Sequence, residues 1–303
     1  MTHIALKLGY IGSNFYGFQS QPDFRTVVGE LIYNLKKLNY IHNPKEAHFR
    51  IAGRTDRGVH SLGNVVVFKS NKDFNINELN DNLADDIRVL GYTNVSDNFN
   101  PRHANTRWYR YVLFNSNLDM DLLEKTSKKF IGTYDFSNFT NKGADNTIRT
   151  IQNIQVNISN NNFSNNKYSS LILENMVDDD LDILNNCEDF SGGPIFIDIF
   201  GENFLWNMVR KIIRVILDVN YGNLDLKDID NFLHPKFSKK PVIKLTNPRQ
   251  LILMDVKYNN IKFSYDEYAI MRFSKTITNN LINYKREYAI SKSLLDSLTN
   301  LSN

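Results

Sequence analysis

Cysteine is almost missing from this chain. The single Cys187 excludes an internal disulfide and any cysteine-built metal cluster. Long apolar runs are missing as well: the longest reach about six residues, against the roughly 20 that a helix needs to cross a bilayer. The N-terminus, MTHIALKLGY, has no charged segment followed by an apolar one, so no secretory signal is expected and the protein reads as cytoplasmic. There is no GxGxxG and no P-loop. The histidines (His3, His42, His48, His60, His103 and His234) show no HxxxH spacing and have no cysteine partners, which argues against a zinc site. Asp178 to Asp182 begins like a calcium loop, but Ile183 stands where that loop needs glycine and Asp189 where it needs glutamate. Neither a cofactor nor a metal is expected.

One sign of charge is absent over a long stretch. Between Lys167 and Arg210 there is no basic residue, and the same stretch holds Glu174, Asp178, Asp179, Asp180, Asp182, Glu188, Asp189, Asp198 and Glu202. The net charge of +3 therefore hides an acidic segment of about −9 in a body of about +12. A basic excess of that size is the footprint of a polyanion-binding surface. The acidic segment is expected to face away from such a partner, since carboxylates repel phosphate.

What is present reads as a globular protein of two α/β halves. The chain has 303 residues, 42% hydrophobic and 23% charged, which suits two domains. Ile4, Leu6 and Leu8 alternate as in a strand, and Val27, Leu31, Leu35 and Leu38 recur as on one helix face. Strands are expected at 48–52, 64–68, 88–94, 107–114, 148–158, 168–174, 195–200 and 251–256. Helices are expected at 77–83, 119–130 and 204–219, where Leu205, Met208, Val209, Ile212, Ile213 and Ile216 share one face. The turn at Asn100-Pro101 places a boundary near Ala104. The expected organisation is residues 1–104 as an N-terminal half, 105–260 as a C-terminal half with an acidic insertion around 174–194, and 261–303 as a helical extension. Each half resembles a βαββαβ unit, giving an α+β fold.

Three segments can carry chemistry. The loop Gly53-Arg54-Thr55-Asp56-Arg57-Gly58-Val59-His60 joins two expected strands, and loops held by a sheet are favoured places for catalytic groups. In extended backbone Arg54 and Asp56 would point the same way, and a cation beside a carboxylate keeps it ionised, as a nucleophile requires. In a plain turn the same residues are an ordinary surface pair. In Arg107-Trp108-Tyr109-Arg110-Tyr111, alternation puts Arg107, Tyr109 and Tyr111 on one face and Trp108 and Arg110 on the other. Cations interleaved with aromatics suit RNA, although a half-buried strand shows the same composition. Finally, NFLWNMVRKIIRVIL opens a helix with Arg210 about two turns in, next to Lys211.

Taken in order, YIGSNFYGFQSQP, GRTDRGVHSLGNVVVF, WYRYVLFN and NFLWNMVRKIIRVIL resemble the TruA family of tRNA pseudouridine synthases. Smaller matches are Gly132 to Phe139, Ile148 to Ile151 and Leu251 to Tyr258, so the resemblance spans about residues 3 to 258. It implies that Asp56 is the catalytic aspartate, that Arg54 accompanies it, and that Tyr109 packs against the target uracil. It implies that Arg210 pairs with the aspartate and that Leu205 and Met208 line the base pocket or core. Arg57, Arg107, Arg110 and Lys211 are the expected substrate-binding cations. It also implies one continuous, mainly antiparallel sheet with helices on one face and a cleft between the halves. A homodimer acting on the anticodon stem-loop, at uridines 38 to 40, is implied as well. Three positions depart from the bacterial pattern: Arg57 for alanine, Asn64 for glutamine and Gln250 for glycine.

The chemistry fits the residue types. Making pseudouridine breaks the C1′–N1 bond, turns the base and joins C1′ to C5, with no oxidation and no group gained or lost. Cleaving a glycosidic bond builds positive charge on the sugar, which one fixed carboxylate can meet. A hydrolase would need a second carboxylate, which the motifs lack. A non-catalytic RNA-binding protein of the same fold is the other alternative, but it has no use for a carboxylate facing phosphate.

Overall fold

The computed structural model describes residues 2–114, 117–141, 143, 145–158, 193–234 and 241–301. The expected strand at 168–174, Cys187 and the acidic insertion around 174–194 lie outside the described residues, save the last two positions of the insertion. Strands β1 (Thr2–Tyr10), β2 (Arg50–Ile51), β3 (His60–Ser70) and β4 (Ile87–Val95) build the first half. Alternation sends Ile4, Leu6, Leu8 and Tyr10 to one face. There they pack with Val66, Phe68, Ile87 and Val89 under α1 (Val27–Lys37) and α2 (Ile76–Asn82). The first helix starts where it does because the Thr26 side chain accepts from Gly29 N, satisfying one of the free amides of the first turn.

The second half holds β5 (Thr106–Leu113), β6 (Gly132–Asp135), β7 (Ile148–Ile158), β8 (Ile195–Gly201) and β9 (Leu251–Lys257). Its helices are α3 (Met120–Lys128), α4 (Met208–Asn220) and α5 (Leu226–Leu233). Tyr109, Tyr111, Ile197, Ile199, Leu251 and Leu253 form one core with Met208, Ile212, Ile213 and Ile216 of α4. That core also takes in Ala52, Val59, Val65 and Val67 of the first half, so burial of apolar surface welds the halves together.

All described strands belong to one ten-stranded sheet in the order β10-β4-β1-β3-β9-β5-β8-β7-β6, with β2 beside β3 and β10 (Ser264–Tyr265) at the edge. The pairings are antiparallel except for β3 with β9. That parallel seam is short: His60 and Ser61 stand opposite Ile252 and Leu253, and Ser61 Oγ donates to Leu253 O at 3.0 Å. Along the same edge of β3, β2 pairs with Val66 and Val67, so the edge passes from β2 to β9. The loop that carries Asp56 leaves the sheet at this handover. Gly63 sits there because a Cβ would lie 2.6 Å from Asp255 Cα, so only glycine lets the strands cross.

Several expectations change. Residues 60–63, read as loop, open β3, because their buried polar groups serve the seam and mask the alternation. The helix expected from Phe204 starts at Met208, since Asn207 adopts φ 65°, a left-handed conformation that asparagine tolerates. The polar C-terminus is one helix, α6 (Glu267–Leu301), which reaches β4 through Phe273 and Leu90 on the side opposite α1. No described helix is long and apolar enough to cross a membrane.

Candidate active site

The Asp56 loop is fixed from below by buried polar groups. Tyr10 Oη and Thr55 Oγ1 are 2.9 Å apart, and Asn64 Nδ2 donates to Tyr10 Oη at 3.1 Å and to Gly53 O at 3.2 Å. Phe18 N donates to Thr55 O, and Ala52 N to Val65 O. At the far end Val59 N donates to Asp56 O, and Gly58 turns the chain with φ 86°. Buried hydrogen-bonded groups of this kind specify one geometry, because each broken bond leaves an unsatisfied polar atom.

The loop delivers Asp56 to the start of α4. Arg210 Nη1 donates to Asp56 Oδ2 at 2.9 Å, and Trp206 Nε1 donates to Oδ1 at 3.1 Å. Arg210 is itself held, since its Nε and Nη2 donate to Thr246 O at 2.9 and 2.7 Å. The left-handed turn at Asn207 lets both Trp206 and Arg210 reach one carboxylate. Asp56 keeps 27% of its side chain exposed.

That exposed side opens into a cavity of about 660 Å3 at the junction of the halves. Tyr109, Leu205 and Met208 supply an apolar wall, with Phe204 edge-on to the Tyr109 ring at 5.3 Å. Burial pushes the Tyr109 phenol up to about 12, and the Asp56 charge adds to the rise, so it keeps its proton at neutral pH. At the mouth, Arg57 lies 4.1 Å over the Tyr16 ring, and Tyr16 stacks on Phe24 at 4.5 Å. This exposed stack is a surface of the kind on which bases lie. No group of three or more potential metal ligands occurs among the described residues.

The structure thus gathers Arg54, Asp56, Arg57, Tyr109, Leu205, Met208 and Arg210 around one space. It leaves three expected substrate contacts elsewhere. Arg107 is buried, and its guanidinium donates to the carbonyls of Ala52, Arg102 and Glu202, so it ties loops together instead of meeting substrate. Arg110 forms a two-pronged pair with Asp198, at 2.8 Å for each bond, on the outer face of the sheet. Lys211 is buried and donates to Asn138 O at 3.3 Å. The cation paired with Asp56 is Arg210, at 2.9 Å, and Arg54 makes no ion pair with it. Sequence reasoning missed Trp206, Tyr16 and Asn64 as contributors. Trp206 could have been found, because an indole two positions before the helix face serves no core position.

A family model described as tRNA pseudouridine synthase matches residues 126–259, which include α4 and Arg210 but not Asp56. Full-length relatives cover the rest. Tha chain is 46% identical over 302 residues to the tRNA pseudouridine synthase A of Methanobrevibacter smithii, covering 99% of each. It is 36% identical over 303 residues to that of Methanothermobacter thermautotrophicus, covering 99% and 98%. The sequence match defines an RNA-modifying enzyme that acts on uridine. The chain belongs to the TruA family of tRNA pseudouridine synthases. Among solved structures, a Cbf5-Nop10-Gar1 complex gives a TM-score of 0.31 at 11% identity, covering 71% of this chain and 54% of that one. This chain spans about half the length of that protein, and a likeness at that score carries no argument.

Proposed function

We propose that the protein isomerises uridine to pseudouridine in the anticodon stem-loop of tRNA, at positions 38 to 40, with Asp56 as nucleophile. The target base leaves its stack and enters the cavity against Tyr109. The observation that carries this reading is the Asp56 carboxylate. It is clamped by Arg210 and Trp206 on one side and open to an aromatic-walled space on the other. A carboxylate fixed in this way meets positive charge as it grows on the sugar, without reorganising during the reaction. Attack at C1′, addition at C6 and removal of a sugar proton all start from this group. Over the whole reaction the C1′–N1 bond breaks, C1′ joins C5, C5 gives up a proton and N1 gains one, so no co-substrate is consumed. Tyr109 offers a flat wall and a neutral phenol. Arg54 and Arg57, exposed at the mouth, suit the flanking phosphates.

The reading extends to a cytoplasmic homodimer, and to a chain divided near Ala104 into two halves with a helical extension after 260. Light scattering on the purified protein tests the dimer. The main test incubates the protein with unmodified tRNA and maps pseudouridine by mass spectrometry. Product within positions 38 to 40 is expected, and none with Asp56→Asn, which should still bind tRNA. Product at other positions alone would overturn the anticodon assignment, and activity in the variant would overturn the role of Asp56.

A further inference from the structure

A second cavity of about 460 Å3 adjoins the first, and Gln19, Ile51, Arg54 and Arg102 line both. Its chemistry is distinct. Phe49 and Val28 contribute an apolar floor, and Arg50, Arg54 and Arg102 contribute three guanidinium groups, with no carboxylate in the lining. The side chains of Arg54 and Arg102 make no hydrogen bond or ion pair among the described residues. Arg50 donates one bond, from Nη2 to Asp97 O at 3.0 Å, while its Nε is buried with no partner. Asn100 also lines the chamber, and its Oδ1 accepts from Arg102 N at 3.1 Å.

The two walls of this chamber share one support. The buried Arg107 Nη2 donates to Ala52 O at 2.9 Å, just before Arg54, and to Arg102 O at 3.0 Å. Tyr258 Oη pins the same turn by donating to Pro101 O at 2.6 Å. The free guanidiniums are therefore carried on backbone of fixed spacing, the preorganisation that a binding site needs.

We propose that the chamber is a second base site. It takes the nucleotide next to the target uridine in the RNA chain, with the base on Phe49 and the linking phosphate between Arg54 and Arg102. This rests on the reading that the first cavity takes a tRNA uridine. Whatever is joined to that uridine by a phosphodiester must leave the first cavity past its rim. The residues common to both spaces include two unengaged guanidiniums, whose planar donor groups match phosphate oxygens. Beyond them lies an apolar ring with amide side chains beside it, the combination that stacks a base and reads its edge. The enzyme thus unstacks two nucleotides and gives the second a new stacking partner.

The test uses anticodon stem-loop RNAs with an abasic site 5′ or 3′ of the target uridine. With the wild-type protein, one of the two abasic RNAs should raise KM by roughly tenfold, the scale of losing one base–aromatic stack, with kcat kept. In Phe49→Leu, which keeps an apolar floor but loses the flat ring, the same abasic site should change KM little. Two abasic RNAs that behave like the parent, or a penalty of equal size in both proteins, would overturn the proposal. Arg102→Ala should raise KM for the parent RNA and lower the slope of log affinity against log salt by about one. An unchanged slope would remove the phosphate contact. Failure of the wild type to modify the parent RNA would instead count against the uridine reading itself.

Discussion

Two carboxylates in this molecule have the same kinds of partner and different surroundings. Asp56 receives Arg210 at 2.9 Å and the Trp206 indole at 3.1 Å. Asp198 receives Arg110 twice at 2.8 Å and the Trp108 indole at 2.8 Å. The difference lies in what remains. Asp198 is 3% exposed, its arginine lies over Trp108 and Phe196, and it lines neither cavity. Asp56 has one bond to each oxygen and 27% of its side chain open to a cavity. An Arg–Asp–Trp cluster is thus not a catalytic signature. Unused acceptor capacity facing a cavity is what separates Asp56 from the fully engaged Asp198.

Substituting both clusters in parallel tests that distinction. The largest effect is expected for Asp56→Asn, with kcat lower by roughly 10^4-fold or more and stability changed by less than about 1 kcal/mol. Single-turnover assays and urea unfolding measure the two. Arg210→Ala should lower kcat by about 10^2- to 10^3-fold, since it removes the charge that fixes the carboxylate. Asp198→Ala should do the reverse, with kcat retained and about 3 kcal/mol of stability lost, because Arg110 keeps its charge without a partner. A strong kcat loss in Asp198→Ala would erase the contrast. Trp206→Phe removes one hydrogen bond worth about 1 kcal/mol, so a fall in kcat of about fivefold is expected. Trp108→Phe should move only stability. The pH response also differs, because Tyr109 stands beside Asp56. The folded pKa of Tyr109, about 12, exceeds the ordinary 10.0, so its contribution to stability is complete below pH 10 and is lost as pH rises toward 12. Denaturation midpoints should fall above pH 10, and Tyr109→Phe should lessen that fall.

Much of this was legible because strand and helix periods are local. The alternation of Arg107, Tyr109 and Tyr111 against Trp108 and Arg110 gives the burial of β5 directly. The partners of each cation were not legible, because they depend on strand order. Arg107 and Arg110 look alike in sequence. One is buried under three carbonyls and the other meets Asp198 of the neighbouring strand. The three departures from the bacterial pattern also gain a physical sense. Asn64 bonds Tyr10 and Gly53, Arg57 covers Tyr16, and Gln250 accepts from the Tyr111 phenol while donating to Val112 O.

The narrow seam between β3 and β9 sets a timetable for synthesis. On the ribosome Asp56 emerges 154 residues ahead of Arg210, and the β3 edge at His60 and Ser61 waits longer still for Ile252 and Leu253. Until then a nascent chain carries an unpaired strand edge, a template for wrong association. Translation that stops before β9 therefore leaves the sheet unfinished, without the strand that pairs with both halves.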